Sequence, residues 1–297
     1  MQSQKFTLML ESVRRLMRSG ATARALNVLR KGRPADVAQV LHALNDLDRH
    51  AVFTALARSD TKLAAASISE MSLAESVELL KTLAAEEIAQ VLQELPSDDA
   101  ALFVAELPEE LRESLLDLMK VEASTEVQEL LSFAEGTAGR MMTPNVFALR
   151  EDLTVSEAIS AIQRASRDVE MVYYLYVVDE RNHLVGVLNL RQLLLAPPTT
   201  SLKKVMGTDV ISVRTDTEQE EVARVVARYN LLGVPVVDEE NKLVGIVTVD
   251  DVLDVIREEA TEDIYALSGV SSEESVQSSP LRSVRLRLPW LLVNLAT

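Results

Sequence analysis

The chain has 297 residues, enough for two domains, and carries 46 Asp and Glu against 30 Lys and Arg, a formal charge of −16. That balance excludes a general phosphate-backbone binder, which needs clustered Lys and Arg, so nucleic acid is not an expected partner. Cysteine is absent and the three histidines are scattered, which excludes disulfides and thiolate sites and leaves a hard, oxygen-held cation as the metal such a chain could bind.

The opening stretch MQSQKFTLMLESVRRLMRSG predicts an amphipathic helix of mixed charge without a signal-peptide cleavage pattern, so the bulk of the protein is expected in the cytoplasm. Residues 1 to about 130 predict helix after short helix, rich in Ala, Leu and Glu. Met71, Leu83, Leu95, Leu107 and Met119 recur every 12 residues, each closing an apolar run before a turn or cap. Such short units cannot bury an apolar face alone, so the spacing predicts a stacked, superhelical array. Ser72 with Glu75 makes a capping box, Ser97 can cap the following helix, and Pro108 suits a first helical turn. Asp98 and Asp99 open one of these helices, either to complement its dipole or to offer oxygen ligands to a cation.

FAEGTAG, around Ser132 to Gly139, marks a boundary, and beyond it the chain is duplicated. YVVDERNHLVGV (Tyr176 to Val187) returns 59 residues later as PVVDEENKLVGI (Pro235 to Ile246). Capping boxes at Thr154/Glu157 and Thr217/Glu220 precede each copy, and Met141-Met142-Thr143-Pro144 and Val205-Met206-Gly207 head them. The order strand, helix, strand, strand, helix therefore occurs twice, and two such units pack sheet on sheet with clefts at the sheet ends.

The second copy runs directly into VLDVIREEATED. At 100° per residue Asp251, Asp254, Glu258 and Glu262 share one side of a helix, and Val252, Leu253, Ile256, Ala260 and Ile264 the other. From Arg214 to Asp263 there are 14 acidic and 5 basic residues. Four like-charge i,i+4 pairs cost roughly 1–2 kcal/mol in sum, and a solvated face normally mixes its signs, so bound cations are the first functional expectation. A Ser-rich stretch follows, then LRSVRLRLPWLLVNLAT, in which Arg282, Arg285 and Arg287 precede an apolar run with Trp290. This reads as the cytoplasmic edge of a membrane helix, or as an amphipathic surface helix.

The duplicated motifs, covering about Gly139 to Ile256, resemble a tandem pair of cystathionine-β-synthase (CBS) domains, whose clefts bind adenine nucleotides through Thr or Ser, two residues, then Asp. The second copy has Thr248 and Asp251 there, which also read as a strand end and a helix cap. The first copy has Asn189 and Gln192, with Arg191 within reach of a phosphate.

The order of helical array, CBS pair, acidic connector and RLPWLL resembles MgtE-type magnesium channels, with RTDTEQEEVARVV and LVGIVTVDDVLDVIREEATEDI the most specific stretches. The resemblance implies an all-α superhelical domain (1–131), CBS repeats at 132–200 and 201–258, a connecting or plug helix (259–284) and the start of a transmembrane helix (285–297). It implies a homodimer gating a five-helix transmembrane pore at the cytoplasmic face of the cell membrane, with Mg2+ held by Asp98, Asp99, Glu218, Glu220, Asp251, Asp254, Glu258, Glu259, Glu262 and Asp263. Asn230 stands where such proteins can carry another carboxylate. ATP, at Arg191, Thr248 and Asp251, is the implied modulator. Hydrated Mg2+ would bridge acidic side chains of the helical domain, the CBS pair and the connector and select a closed state. A soluble adenine-nucleotide sensor is the alternative; an enzyme is not expected, because no nucleophile–base pair, phosphate loop or metal-binding His cluster is present.

Overall fold

The computed structural model describes residues 2–144, 146–165 and 174–267. The Ser-rich stretch, the far part of the connecting segment and the RLPWLL run lie outside these residues. The chain forms two compact units, Met1–Ala134 and Glu135–Thr297.

The first unit is all helix: α1 (Gln2–Arg18), α2 (Thr22–Leu29), α3 (Pro34–Ala43), α4 (Asp46–Ser59), α5 (Thr61–Ser69), α6 (Leu73–Leu80), α7 (Ala85–Leu92), α8 (Ser97–Ala105), α9 (Glu109–Leu118) and α10 (Val121–Ser132). Met71, Leu83, Leu95, Leu107 and Met119 each fall in the turn between consecutive helices from α5 to α10, so the 12-residue period is one helix plus its turn. Helices pack on the next but one (α3 on α5, α5 on α7, α7 on α9, α8 on α10). Side chains accordingly reach partners 29 or 30 residues on, as Arg58 does to Glu87 and Ser69 to Asp99. Leu29, Leu41, Phe53, Leu56, Ile68, Leu80, Ile88 and Leu92 are fully buried along the array, each worth about 1.5–3 kcal/mol of burial.

The caps differ in detail from expectation. Ser72 Oγ donates to Glu75 Oε2 at 3.0 Å, not into a complete capping box. Pro96 occupies the cap position of α8, so Ser97 starts the helix and donates to Glu126 instead. Pro108 likewise stands one position outside α9, which begins at Glu109. In both cases the proline supplies an extended ψ just before the first turn, where its missing N–H costs nothing.

The second unit contains β1 (Ala148–Arg150), β2 (Tyr174–Val178) and β3 (Leu184–Asn189) in one sheet, and β4 (Val213–Arg214), β5 (Gly233–Val237) and β6 (Leu243–Thr248) in another. In each sheet the first two strands are parallel and the last two antiparallel, with a register shift at the same place, Val177/Val178 and Val236/Val237. The helices are α11 (Ala138–Met141), α12 (Val155–Arg164), α13 (Leu190–Leu195), α14 (Gln219–Tyr229) and α15 (Val249–Leu267). The expected β-α-β-β-α order therefore holds in both copies. Because β2 is buried on both faces, its alternation splits the core: Leu175 and Val177 pack with Leu149, Val155 and Ala158, while Tyr176 and Val178 pack with Val237, Leu243 and Ile246 of the other sheet.

The leading segments are exchanged between copies. The sequence assigns each head to the copy after it, whereas residues 136–143 are bonded to the second copy and residues 198–207 to the first. Thr143 pairs both ways with Ile246 (2.8 and 3.0 Å), and Gly207 both ways with Val187 (2.9 Å each). Met142 thereby lies over Gly245 and Met206 over Gly186, so close that a Cβ on either glycine would meet the sulfur at 2.4 Å.

Thr154 and Glu157 complete their capping box, with Glu157 N–H to Thr154 Oγ1 at 3.3 Å and Thr154 N–H to Glu157 Oε2 at 2.8 Å. Thr217 does not cap its helix: Glu218 takes that position, and Thr217 Oγ1 accepts the Arg214 N–H. The exchanged head explains this, because the Gly136 carbonyl already accepts the Gln219 N–H at 2.8 Å.

Candidate acidic surface and interrepeat cleft

The acidic helix α15 leaves β6 directly, and Val249 N–H bonded to the Leu232 carbonyl fixes its rotation. Val252 and Val255 are buried by this phase, and α15 packs on α14. Leu253 and Ile256, expected on the docked side, are 48% and 42% exposed. The helical period holds, but the buried stripe is rotated from the expected one, because the strand exit sets the phase and periodicity cannot report it. Glu259, by contrast, lies on the packed side and accepts Gln219 Nε2 at 3.0 Å.

The other expected ligands are dispersed. Asp254 is exposed and paired with Arg257 at 2.9 Å, Glu220 with Arg224 at 3.7 Å, and Glu218 is the exposed cap of α14. Asp251, in the first turn of α15, accepts both the N–H and the hydroxyl of Thr248, the residue just before the helix, and so ties down its start. Asn189 and Gln192 repeat this device in the first copy, each backbone N–H bonded to the other side chain at 2.8 Å. Asp98 and Asp99 occupy the first turn of α8, where Asp99 accepts Ser69 Oγ at 2.6 Å. The side chains of Glu258, Glu262 and Asp263 lie outside the described residues. Asn230 has a left-handed backbone, φ 51°, and closes α14, so the local chain geometry accounts for an Asn there. Among the described residues no three acidic or His side chains converge to hold a metal.

Between the two copies lies a cleft of about 110 Å³ lined by Tyr174, Tyr176, Asp209, Ile211, Gly233 and Pro235, among others. The cleft joins β2 of one copy to β5 of the other. Tyr176 is buried, its hydroxyl donates to the Gly233 carbonyl at 3.4 Å, and burial pushes its phenol pKa up. Gly233 pairs across the sheet with Thr248, which puts the Thr248/Asp251 cap beside this lining. Arg191 is exposed on α13 and is not part of the lining. Sequence reasoning missed Tyr174, Tyr176 and Asp209. Their signal was weak: two aromatics alternating along a strand, which by themselves read as core.

Comparison with known proteins decides the family. Residues 32–136 match the MgtE intracellular N domain, and residues 138–198 and 202–258 match the CBS domain. The chain also superposes on the crystal structure of the cytosolic domain of the Mg2+ channel MgtE in complex with ATP, with TM-score 0.76 and 41% identity over 83% of this chain and 99% of that one. The chain belongs to the MgtE family. The magnesium transporter MgtE of Thermus thermophilus is 47% identical over 187 residues, 62% of this chain and 42% of its own length. That of Enterococcus faecalis is 41% identical over 59% of this chain and 38% of its own. A second structure, the soluble part of a magnesium transporter, gives TM-score 0.74 at 30% identity over 88% of this chain and all of that one. The chain thus spans about two-fifths of the curated MgtE relatives it matches. The helical array followed by a CBS pair is the arrangement of that MgtE cytosolic domain, which this chain matches over nearly all of its length. Among the described residues no helix is long and apolar enough to cross a membrane.

Proposed function

We propose that this chain is the magnesium-responsive cytosolic region of a homodimeric magnesium channel or transporter, placed at the cytoplasmic face of the membrane and controlling a transmembrane pore. The observation that carries this is the match to nearly the whole cytosolic domain of the Mg2+ channel MgtE. The charge distribution agrees with it, since the Arg214–Asp263 segment holds 14 acids. Asp254, Glu218 and Glu220 meet solvent, while Asp251 and Glu259 are committed to Thr248 and Gln219. In this reading the exposed acids hold hydrated Mg2+, as do Asp98 and Asp99 in their own unit. The ion offsets their mutual repulsion and selects the closed form, and linkage then makes that form the more stable one.

Dimer formation is supported by Leu194 and Leu195 on α13, 62% and 74% exposed, together with Leu253 and Ile256 on α15. ATP modulation is supported by the interrepeat cleft: at about 110 Å³ it is smaller than ligand pockets of roughly 300–1,000 Å³, so it takes a ring and leaves the phosphates outside. Asp209 there can accept from an exocyclic amine.

Small-angle scattering across millimolar MgCl2 tests the proposal. Compaction that saturates, and that weakens in Asp254→Asn/Glu220→Gln, is expected. Identical profiles with and without Mg2+, alongside ATP binding, would leave only a nucleotide sensor.

A further inference from the structure

The charge of this chain is segregated. Residues 1–34 contain eight Lys and Arg and one acid, Glu11, a local balance of +7 in a chain of −16. These residues form α1 and α2, and the match to the family's N domain begins only at residue 32, so the basic segment lies ahead of it. On α1, Met9 and Val13 are buried against the array, and at 100° per residue Arg15 and Arg18 share the opposite arc, where Leu8 is also exposed, while Arg14 at the edge of that arc donates to the Ala43 carbonyl of α3. Arg24 on α2, Lys31 just past its end and Arg33 before α3 are exposed as well. Arg30 is engaged with Asp60 at 3.4 Å and the Arg33 backbone N–H donates to Asp36 at 3.3 Å, but among the described residues the side chains of Arg15, Arg18, Arg24, Lys31 and Arg33 form no ion pair.

We infer that the solvent face of α1 and α2 is an electrostatic docking surface for anionic lipid headgroups. Unpaired cations around an exposed leucine, on a helix whose other face is already docked, fit the interface between headgroup and acyl chain. A nucleic-acid groove would need the positive field to continue, and it reverses sign beyond residue 34. This inference rests on the membrane-side placement proposed above but not on the magnesium response.

The test is co-sedimentation of the whole chain, in EDTA, with vesicles of phosphatidylcholine alone or of equal parts phosphatidylcholine and phosphatidylserine. Binding to the anionic vesicles only, lost with rising salt, is expected. Arg15→Glu/Arg18→Glu/Arg24→Glu should lower the bound fraction about tenfold or more, and the matching Arg→Lys variant should keep it. Because these side chains are exposed, circular dichroism of both variants should be native. Equal binding to neutral vesicles, indifference to charge reversal, or capture by duplex DNA in preference to the anionic vesicles would overturn the inference. Since no magnesium is present, its failure is distinguishable from failure of magnesium-driven compaction.

Discussion

Asn182 and Asn241 stand 59 positions apart, both with left-handed backbones (φ 67° and 63°), and each donates its side-chain amide across the pseudo-symmetry axis to the other copy's strand. Asn182 Nδ2 reaches the Leu243 carbonyl at 3.0 Å and Asn241 Nδ2 the Leu184 carbonyl at 3.2 Å. Backbone bonds from Leu184 to Asn241 and from Leu243 to Asn182, both 3.0 Å, lie between them. The positive φ turns each hairpin, and the same residue ties that hairpin to its counterpart.

Asn182→Ala should therefore cost more than either function alone, about 1–3 kcal/mol from the lost interrepeat bond and the left-handed strain. Asn182→Gly keeps the backbone freedom and should cost less. Urea denaturation of the single variants and of Asn182→Ala/Asn241→Ala checks this, and the double variant should be non-additive because both bonds close one junction.

Gly245→Ala should destabilise the second unit by about 1–3 kcal/mol, since the new methyl would overlap the Met142 side chain from its sulfur to its Cβ. Met142→Ala in the same chain should recover part of the loss. Differential scanning calorimetry of the three variants measures it.

Asp179 accepts the His183 side chain at 2.8 Å and the backbone N–H groups of Arg181 and His183. The His183 bond, then the backbone bonds, hold its pKa at about 2, below the usual 3.8. The sign follows from linkage: the native state binds the proton more weakly, so the contribution is complete above about pH 4 and is lost as pH falls towards 2. Urea midpoints for the native chain and Asp179→Asn should converge over that window and stay apart above it.

Much of this molecule is legible in its residues. The 12-residue period and the 59-residue duplication survive as helix-plus-turn units and as two sheets, because both are set by local burial and by turn residues such as Asp238 to Asn241. The misses share a cause. Thr217 loses its cap, α15 turns Leu253 outward, and Tyr174 and Tyr176 line a cleft, all through contacts with chain far away in sequence. Local pattern gives the element, and distant backbone decides which way it faces.

Asp254→Asn separates charge from folding. Its ion pair with Arg257 is exposed, so stability without magnesium should move by no more than about 0.5 kcal/mol. The rise in thermal midpoint on adding MgCl2 should shrink. Asp251→Asn should instead lower stability without the ion, because Asp251 holds the start of α15 through Thr248.

The exchanged heads make the duplication irreversible. A polypeptide severed near Pro198 would yield two pieces, each carrying the ribbon that completes its sibling and lacking its own. Neither half could be recovered as an autonomous ancestor, and mixing the two should rebuild the pair.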